Sequence, residues 1–267
     1  MSDNNHYEPD FIAFLELMWG DGYLSPGGAD EVGRLLAGID LRGKTVLDIG
    51  CGSGGITALL AKEYGAVKVV GIDVEEPVCQ QARETVARAG VGDRVEIQQV
   101  LPANPFPIGD ETFDIVFSTD SIVHIPDKEA LTQDALRILK PGGWLVASDW
   151  LISHDGEPSA EMTHYIRLED LDFGMASPRR YRTALDTAGF VNVSLNNRNR
   201  WYFETAKDEL QRMLGSERPQ FDATLGKEGI DEQIALWQAM LIVLGSGEHC
   251  PHHFRGQKPL NRDTTTA

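Results

Sequence analysis

From about Leu41 onward, the hydrophobic positions alternate between short apolar runs and longer amphipathic segments. The apolar runs are rich in Val, Ile and Leu, which is typical of buried strands. The segments between them repeat apolar positions at helical spacing, and several of them end at a glycine, as helices commonly do. The pattern predicts strands at 44–50, 67–73, 94–100, 113–120 and 144–150, and helices at 55–65, 74–90, 128–139 and 181–189.

This order of elements predicts the fold class. Repeated strand–helix–strand units favour a parallel sheet with helices on both faces. Because such crossovers are almost always right-handed, we expect an α/β, doubly wound, Rossmann-like sheet. Its ligand site should lie over the carboxyl ends of the strands.

Two regions fall outside this rhythm. The first 40 residues are rich in aromatic side chains and are expected to form a helical lid. A second stretch lies between a strand and the next helix and is too long for a bare connection, so we expect it to be a substrate lid inserted after strand five. The predicted organisation is a lid at 1–40, a core at 41–200 with its insertion at 151–180, C-terminal helices and a last strand at 201–260, and a disordered tail at 261–267.

Charge and composition limit the classes of molecule that the chain is expected to bind. The chain has 41 acidic and 24 basic residues, a formal net charge of -17. This argues against nucleic acid or an anionic membrane, since both require a basic face. It is compatible with a cationic or zwitterionic small molecule. Three cysteines suggest no disulfide framework and the first residues resemble no signal peptide, so we expect a cytoplasmic monomer or homodimer.

The segment "VLDIGCGSGG" carries the strongest chemical signal. Gly50, Gly52 and Gly54 follow a predicted strand and open a helix, where glycine lets a ligand approach the backbone. Asp73 ends the next strand, where a carboxylate can accept both hydroxyl hydrogens of a ribose. Because Gly50, Gly52 and Gly55 also spell the dinucleotide fingerprint, the loop alone leaves the cofactor open.

Motifs elsewhere in the predicted core indicate which cofactor the loop binds. "FDIVFSTDSIVHI", followed by a helix and "LRILKPGGWLVASDW", resembles the class I S-adenosylmethionine-dependent methyltransferases. The resemblance implies seven strands, S-adenosylmethionine as cofactor and S-adenosylhomocysteine as product. The family's acid after strand three is replaced here by Val100. The implied cofactor residues are Tyr23, Ser25, Asp48, Gly50, Gly52, Gly54, Asp73, Val74, Val100, Leu101 and Asp120.

The N-terminus narrows the resemblance. "NNHYEPDFIAFLELMWGDGYLSPGG" resembles the leading segment of phosphoethanolamine N-methyltransferases, and "TDSIVH" fits their motif after strand four. Sarcosine/dimethylglycine N-methyltransferases share that motif and a similar lid. The resemblance implies that Tyr7 closes over the site and pairs with His124, and that Tyr23 and Ser25 cover the methionine end. It points to a phosphoethanolamine-like or glycine/sarcosine-like amine as methyl acceptor.

The chemistry of N-methylation gives these residues roles. The acceptor nitrogen must present a lone pair, yet alkylamines are mostly protonated at neutral pH, as the lysine value of about 10.4 illustrates. His124 suits the role of proton acceptor. Asp120 would accept a hydrogen bond from the amine, and Trp19 and Trp150 would contact a methylated ammonium. Alternatively, Asp120 and His124 only cap a strand-to-helix loop.

The lid and the C-terminus leave further alternatives. Glu169 in the lid repels a phosphate and attracts a cation, whereas Arg179 would bind a carboxylate or phosphate. We expect no metal in "EHCPHHFRGQKP"; it predicts a turn before a final strand, with one histidine lining the substrate site. Methyl transfer to oxygen, sulfur or carbon of a secondary metabolite is an alternative activity. A catalytically inactive cofactor-binding protein is another.

Overall fold

The computed structural model describes residues 8–102, 105–170 and 173–260. Its centre is a seven-stranded sheet in the order β3-β2-β1-β4-β5-β7-β6. The strands are β1 Thr45–Ile49, β2 Lys68–Asp73, β3 Val95–Gln99, β4 Phe113–Thr119, β5 Leu139–Asp149, β6 Val191–Asn197 and β7 His252–Gln257. The predicted α/β, doubly wound architecture with seven strands is confirmed.

The pairing of the strands locates the ligand crevice. β1 pairs in parallel with both β2 and β4. The strands β2 and β3 therefore lie on one side of β1, and the strands from β4 onward lie on its other side. In open α/β sheets, ligands bind at this switch point, beyond the carboxyl ends of the strands. β7 is the exception to the parallel pattern, because it runs antiparallel between β5 and β6.

Helices cover both faces of the sheet, and each face has its own apolar core. The predicted helices are present, with bounds that differ by a few residues. The largest difference is at β5, which begins at Leu139 rather than at 144 because Leu139 already pairs with Phe113 of β4. The helices are α1 Pro9–Trp19, α2 Gly28–Leu35, α3 Gly55–Lys62, α4 Glu76–Ala89, α5 Lys128–Ile138, α6 Ala160–Glu169, α7 Pro178–Ala188, α8 Asn199–Leu214 and α9 Arg218–Ser246.

The regions outside the sheet rhythm share a third apolar core. It joins Phe14 of α1, Tyr165 of α6, Tyr202 of α8 and Trp237 of α9. Ile152, just after β5, belongs to the same cluster and ties it to the edge of the sheet. The N-terminal helix, the insertion after β5 and the C-terminal helices therefore pack as one helical layer.

Among the described residues, no helix combines the length and the apolar character that spanning the hydrocarbon core of a bilayer requires.

Candidate functional site

A cleft of about 610 Å³ opens at the switch point of the sheet. Its floor is the loop between β1 and α3, and its sides come from the carboxyl ends of β2 and β4. Gly50, Gly52 and Asp73 line it, together with Ser25 from the N-terminal segment. The sequence thus brings the predicted glycine loop, the predicted acid and a predicted covering residue to one cavity.

The glycine loop is shaped for close approach. Gly50 has a φ of 72°, in the left-handed region, and a side chain added there would meet Ser121 Oγ at 1.8 Å. The N–H of Gly52 donates to a carboxylate oxygen of Asp73 at 3.0 Å. Because nothing but backbone faces the cleft at these glycines, a bound molecule can lie directly against the loop.

Asp73 is fixed in place by the main chain. Its other carboxylate oxygen accepts the N–H groups of Val74 and Glu75 at 2.8 and 3.2 Å. Burial raises the pKa of Asp73, while these hydrogen bonds and the one from Gly52 act in the opposite direction. The carboxylate is therefore oriented before any ligand binds, and the oxygen that accepts only the Gly52 N–H keeps a lone pair for a hydroxyl group.

The N-terminal segment covers the glycine loop. The carbonyl oxygen of Gly22 accepts the N–H of Gly55 at 2.9 Å, and Leu24 packs against Gly52. The N–H of Gly22 donates in turn to the side chain of Glu16 on α1 at 3.0 Å. These contacts place Ser25 at the edge of the cleft.

A second, smaller cavity of about 90 Å³ lies between the cleft and the helical layer. Ser25, Asp120 and His124 line both cavities. A molecule in the cleft and a molecule in the small cavity would meet at this shared wall. The remainder of the small cavity is mostly aromatic and aliphatic, with Trp19, Trp150, Phe173, Trp237 and Met240 among its lining residues.

Asp120 is anchored at the end of β4. It has a φ of 50°, and its backbone N–H donates to the carbonyl of Ser148 at 2.9 Å. Its carboxylate accepts the hydroxyls of Ser148 at 2.9 Å and Tyr202 at 2.8 Å. Burial raises the pKa of Asp120 against the effect of these two hydrogen bonds.

His124 ends a short 3-10 helix, Ile122–His124, and is exposed at the shared wall. Its ring lies 5.5 Å from that of Phe173. The loop is held by the fully buried Lys128, whose ammonium donates to the carbonyls of Ile122 and Ile125 at 2.7 and 2.6 Å. Burial lowers the pKa of Lys128 to about 8.

The far wall of the small cavity combines carboxylates with indoles. Glu209 accepts the indole N–H of Trp19 at 2.6 Å and that of Trp237 at 2.9 Å. Glu169 also lines the cavity, beside Tyr165. Burial raises the pKa of Glu209 and that of Glu169 to about 7.

Comparison of the sequence with known proteins finds methyltransferases. Residues 46–143 match the family model of a methyltransferase domain. Phosphoethanolamine N-methyltransferase from Triticum aestivum is 32% identical over 96% of this chain and 49% of its own length. Phosphoethanolamine N-methyltransferase 2 from Caenorhabditis elegans is 30% identical over 96% of this chain and 58% of its own length. The chain thus spans about half the length of these curated relatives.

Solved structures agree. Phosphoethanolamine N-methyltransferase 2 from Haemonchus contortus, in complex with phosphomonomethylethanolamine and S-adenosylhomocysteine, superposes with a TM-score of 0.86 at 26% identity, covering 96% of this chain and 59% of that one. Residues 46–143 of this chain therefore carry a methyltransferase domain. A putative sarcosine dimethylglycine methyltransferase from Galdieria sulphuraria has the same fold, with a TM-score of 0.79 at 18% identity and coverage of 94% and 97%.

Most of the predicted cofactor residues of the methyltransferase domain line the cleft. Val74, Val100 and Leu101 form its rim, and Leu101 is 78% exposed. Val100 stands where the family's acid was expected, and its N–H donates to the carbonyl of Asp73 at 2.8 Å. The rim therefore offers apolar contact at this position rather than a carboxylate.

Three predicted cofactor residues lie elsewhere. Asp48 is buried beneath the loop, where it accepts the hydroxyl of Thr57 at 2.6 Å, and burial raises its pKa to about 7. Gly54 faces α4, because a side chain there would approach the Cα of Ala82 to 2.8 Å. Tyr23 packs with the apolar core beneath α2 and α3. These residues support the loop from behind and do not line the cleft.

The residues predicted to bind the methyl acceptor also divide into those that line a cavity and those that do not. Trp19, Trp150 and Glu169 line the small cavity, and their contact with a substrate stays a prediction. Arg179 does not: its side chain is 82% exposed and pairs with Asp155. The prediction that Arg179 contacts the substrate is therefore withdrawn, because its guanidinium faces solvent at the start of α7. Tyr7 lies outside the described residues, so its pairing with His124 stays a prediction.

Several lining residues were not predicted. Glu209 belongs to α8, and Gln233 and Trp237 belong to α9. Glu209 and Gln233 each interrupt the apolar face of their helix, whereas Trp237 continues it. Lys128, which lines neither cavity but holds the loop that carries His124, was not predicted either. His249, from the C-terminal histidine cluster, lines the small cavity. Within the part of the chain that the structure describes, no group of His, Cys, Asp and Glu is arranged to hold a metal ion.

Proposed function

We propose that this chain transfers a methyl group from S-adenosylmethionine to the nitrogen of a small polar amine and releases S-adenosylhomocysteine. The observation that carries the proposal is the shared wall. Asp120 and His124 border both the cleft of the glycine loop and the small aromatic cavity. A donor on one side and an acceptor on the other would therefore meet beside two titratable side chains.

The cleft has features that S-adenosylmethionine requires. Gly50 and Gly52 leave the backbone open to the methionine and ribose parts, and Asp73 is oriented to accept a hydrogen bond from a ribose hydroxyl. Val74, Val100 and Leu101 offer apolar surface to the adenine. When bound, the cofactor supplies an electrophilic methyl group on a sulfonium.

The chain's own residues prepare the amine. The aromatic walls exclude water and orient the acceptor toward the cleft, which converts an encounter in solution into a positioned displacement. His124 accepts the proton that keeps the amine from attacking. The carboxylate of Asp120, held by Tyr202 and Ser148, accepts a hydrogen bond from the nitrogen and stabilises the cationic product.

Nitrogen is favoured over other acceptor atoms by the environment of the small cavity. Trp19 and Trp150 place π faces where a methylated ammonium would form, and the carboxyl groups of Glu169 and Glu209, whose pKa burial raises to about 7, would ionise beside that cation. The curated relatives and the Haemonchus contortus structure carry names of N-methyltransferases, which supports the same choice. The role of Tyr7 above the site is retained as part of the proposal.

The test is a panel assay. Purified protein is incubated with S-adenosylmethionine and single amines, and S-adenosylhomocysteine is quantified with and without each amine. Amine-dependent product formation supports the proposal. Cofactor binding without turnover of any amine, but with turnover of a phenol, thiol or activated carbon acid, would move the assignment to an O-, S- or C-methyltransferase. Binding without turnover of any acceptor would indicate a catalytically inactive domain.

A further inference from the structure

We infer that the methyl acceptor is an amine that bears no phosphate or carboxylate, recognised as a cation and hydrogen-bond donor by the carboxylates and acceptor atoms of the small cavity. This inference rests on the proposed function and names its substrate class. It departs from the phosphorylated acceptor in the Haemonchus contortus complex.

Apart from the histidines His124 and His249, the ionisable groups that face the cavity are acids. Its lining includes the carboxyl groups of Asp120, Glu169 and Glu209, and the described residues contribute no lysine or arginine to it. A phosphate brought into this space would lose its hydration and face three carboxyl groups at short range. An ammonium gains from the same arrangement.

Arg212 and Arg179 are both paired outside the cavity. Arg212, whose charge acts on Glu209, donates to Glu217 at 3.0 Å and to the carbonyl of Met18 at 2.7 Å. Arg179 points into solvent beside Asp155. Neither guanidinium lines the cavity, so no described side chain offers the bidentate donors that phosphate and carboxylate recognition uses.

The unpaired polar atoms of the cavity give an independent indication. His249 is fully buried, and its Nδ1 lies 3.2 Å from the carbonyl of Leu151. A carbonyl only accepts, so Nδ1 carries the hydrogen and Nε2 is left as an acceptor in the neutral ring. Burial lowers the pKa of His249 to about 4, which keeps the ring neutral. Among the described residues, Nε2 has no hydrogen-bond partner.

A second acceptor is also unpaired. The side-chain oxygen Oε1 of Gln233 is buried without a partner in the described part of the chain and lines the same cavity. Two unpaired donors lie near them in the described part of the chain: the indole N–H of Trp150, and the hydroxyl of Tyr165, whose ring lies 5.5 Å from that of His249. Buried polar groups are normally satisfied, so these atoms indicate a ligand rich in N–H or O–H groups. A phosphate, which mostly accepts, would leave Gln233 and His249 unsatisfied.

The size of the cavity is consistent with a small acceptor. About 90 Å³ is smaller than the engineered apolar cavity of about 150 Å³ that holds benzene. The rings of His124, Phe173, Trp150 and His249 follow one another at centroid distances of 5.5, 5.6 and 5.7 Å. They form a continuous row of rings that leads from His124, which borders both cavities, to the unpaired Nε2 of His249.

The experiment uses acceptors that differ only in the phosphate. Ethanolamine, N-methylethanolamine and N,N-dimethylethanolamine are each compared with their O-phosphorylated forms, and glycine and sarcosine represent carboxylates. We measure kcat/KM for methyl transfer and, by calorimetry, binding to protein saturated with S-adenosylhomocysteine. We expect at least a tenfold preference for the unphosphorylated member of each pair in both measurements.

Two variants test the recognition itself. Glu209→Gln and Glu169→Gln should raise KM for the preferred amine by about 10- to 100-fold, the range expected for a hydrogen bond to a charged group, with a smaller change in kcat. Glu204→Gln on α8 and Glu161→Gln on α6 lie on exposed faces and serve as matched controls.

The outcomes distinguish a failure of this inference from a failure of the proposed function. A preference for the phosphorylated or carboxylated acceptor overturns this inference and leaves the N-methyltransferase proposal standing. Equal use of both members of each pair, or unchanged KM in both glutamate variants, also overturns it. Transfer to none of the amines, phosphorylated or not, overturns the proposed function and this inference with it.

Discussion

The hydroxyl of Tyr202 donates to the carboxylate of Asp120 at 2.8 Å, across 82 positions of the chain. It joins α8 of the helical layer to the end of β4 in the sheet. The carboxyl group that borders both cavities is therefore oriented by the same element that walls the acceptor cavity. Positioning of the amine and integrity of the helical layer should be coupled through this contact.

Replacing Tyr202 with phenylalanine tests that coupling. The half-buried Asp120 would lose one of its two hydroxyl donors, and hydrogen bonds to charged groups contribute about 1.5–3 kcal/mol. We expect the free energy of unfolding to fall by this amount and kcat to fall at least tenfold. Urea unfolding and steady-state kinetics measure both, with Tyr64→Phe, outside both cavities, as the control. Unchanged values would show that the contact is incidental.

Asp73 is predicted to hold the cofactor. Asp73→Asn keeps the shape of the side chain but replaces a charged acceptor with an amide, so S-adenosylmethionine should bind about 10- to 100-fold more weakly. Calorimetry gives the affinity directly. Asp93→Asn, on the exposed turn before β3, should bind like the unaltered protein. Equal affinity in the two variants would remove Asp73 from the cofactor site.

His124 is predicted to act in proton transfer rather than in structure. Its side chain is exposed, so His124→Ala should leave thermal unfolding and cofactor affinity nearly unchanged. Turnover should fall by about two to four orders of magnitude, the scale of a general base. His164→Ala, on the exposed face of α6, is the matched control. Full activity in His124→Ala would leave only the loop-capping interpretation.

Lys128 is predicted to position His124 through the loop. Lys128→Met removes the donor to the buried carbonyls of Ile122 and Ile125, and each unsatisfied group costs about 1–3 kcal/mol. The variant should be less stable and should lose kcat while retaining cofactor affinity. Lys62→Met, on the exposed end of α3, should differ little from the parent. Loss of stability with intact kcat would restrict Lys128 to folding.

Stability should depend on pH through Glu209. Its pKa is raised from 4.5 to about 7 in the folded state, so the folded chain holds this proton more tightly than the unfolded chain. The corresponding stability is present below about pH 4.5 and is lost as the pH rises through about 7, by at most about 3 kcal/mol. Glu209→Gln should flatten the decline between pH 5 and 7.5, and Glu204→Gln should not. An identical decline in both variants would contradict this.

The sheet and the cofactor cleft follow from local pattern. The strand periods, the glycine loop and Asp73 all lie within consecutive elements, so the sequence predicts their arrangement. Asp48 and Gly54 were predicted in the cleft because their positions in the motif suit it. Motif spacing cannot distinguish a residue that faces the ligand from one that supports the loop behind it.

The acceptor cavity is less predictable because α1, α8 and α9 build it from distant parts of the chain. One signal was available. Glu209 falls on the apolar stripe of Ala206, Leu210 and Met213, and Gln233 falls on that of Leu236 and Met240. A polar residue within an apolar helical face must find a partner or a ligand. The partner of Glu209 is a pair of indoles, which no local pattern indicates.

The position of the transferred methyl group tests the central claim most directly. The protein is incubated with S-adenosylmethionine labelled with ¹³C in its methyl group and with ethanolamine, which offers both a nitrogen and an oxygen. The product is examined by two-dimensional NMR. We predict that the label appears as an N-methyl resonance, and that the signal is reduced about 100-fold or more in His124→Ala. A label found on oxygen, or equal signals from both proteins, would contradict nitrogen methylation assisted by the wall between the two cavities.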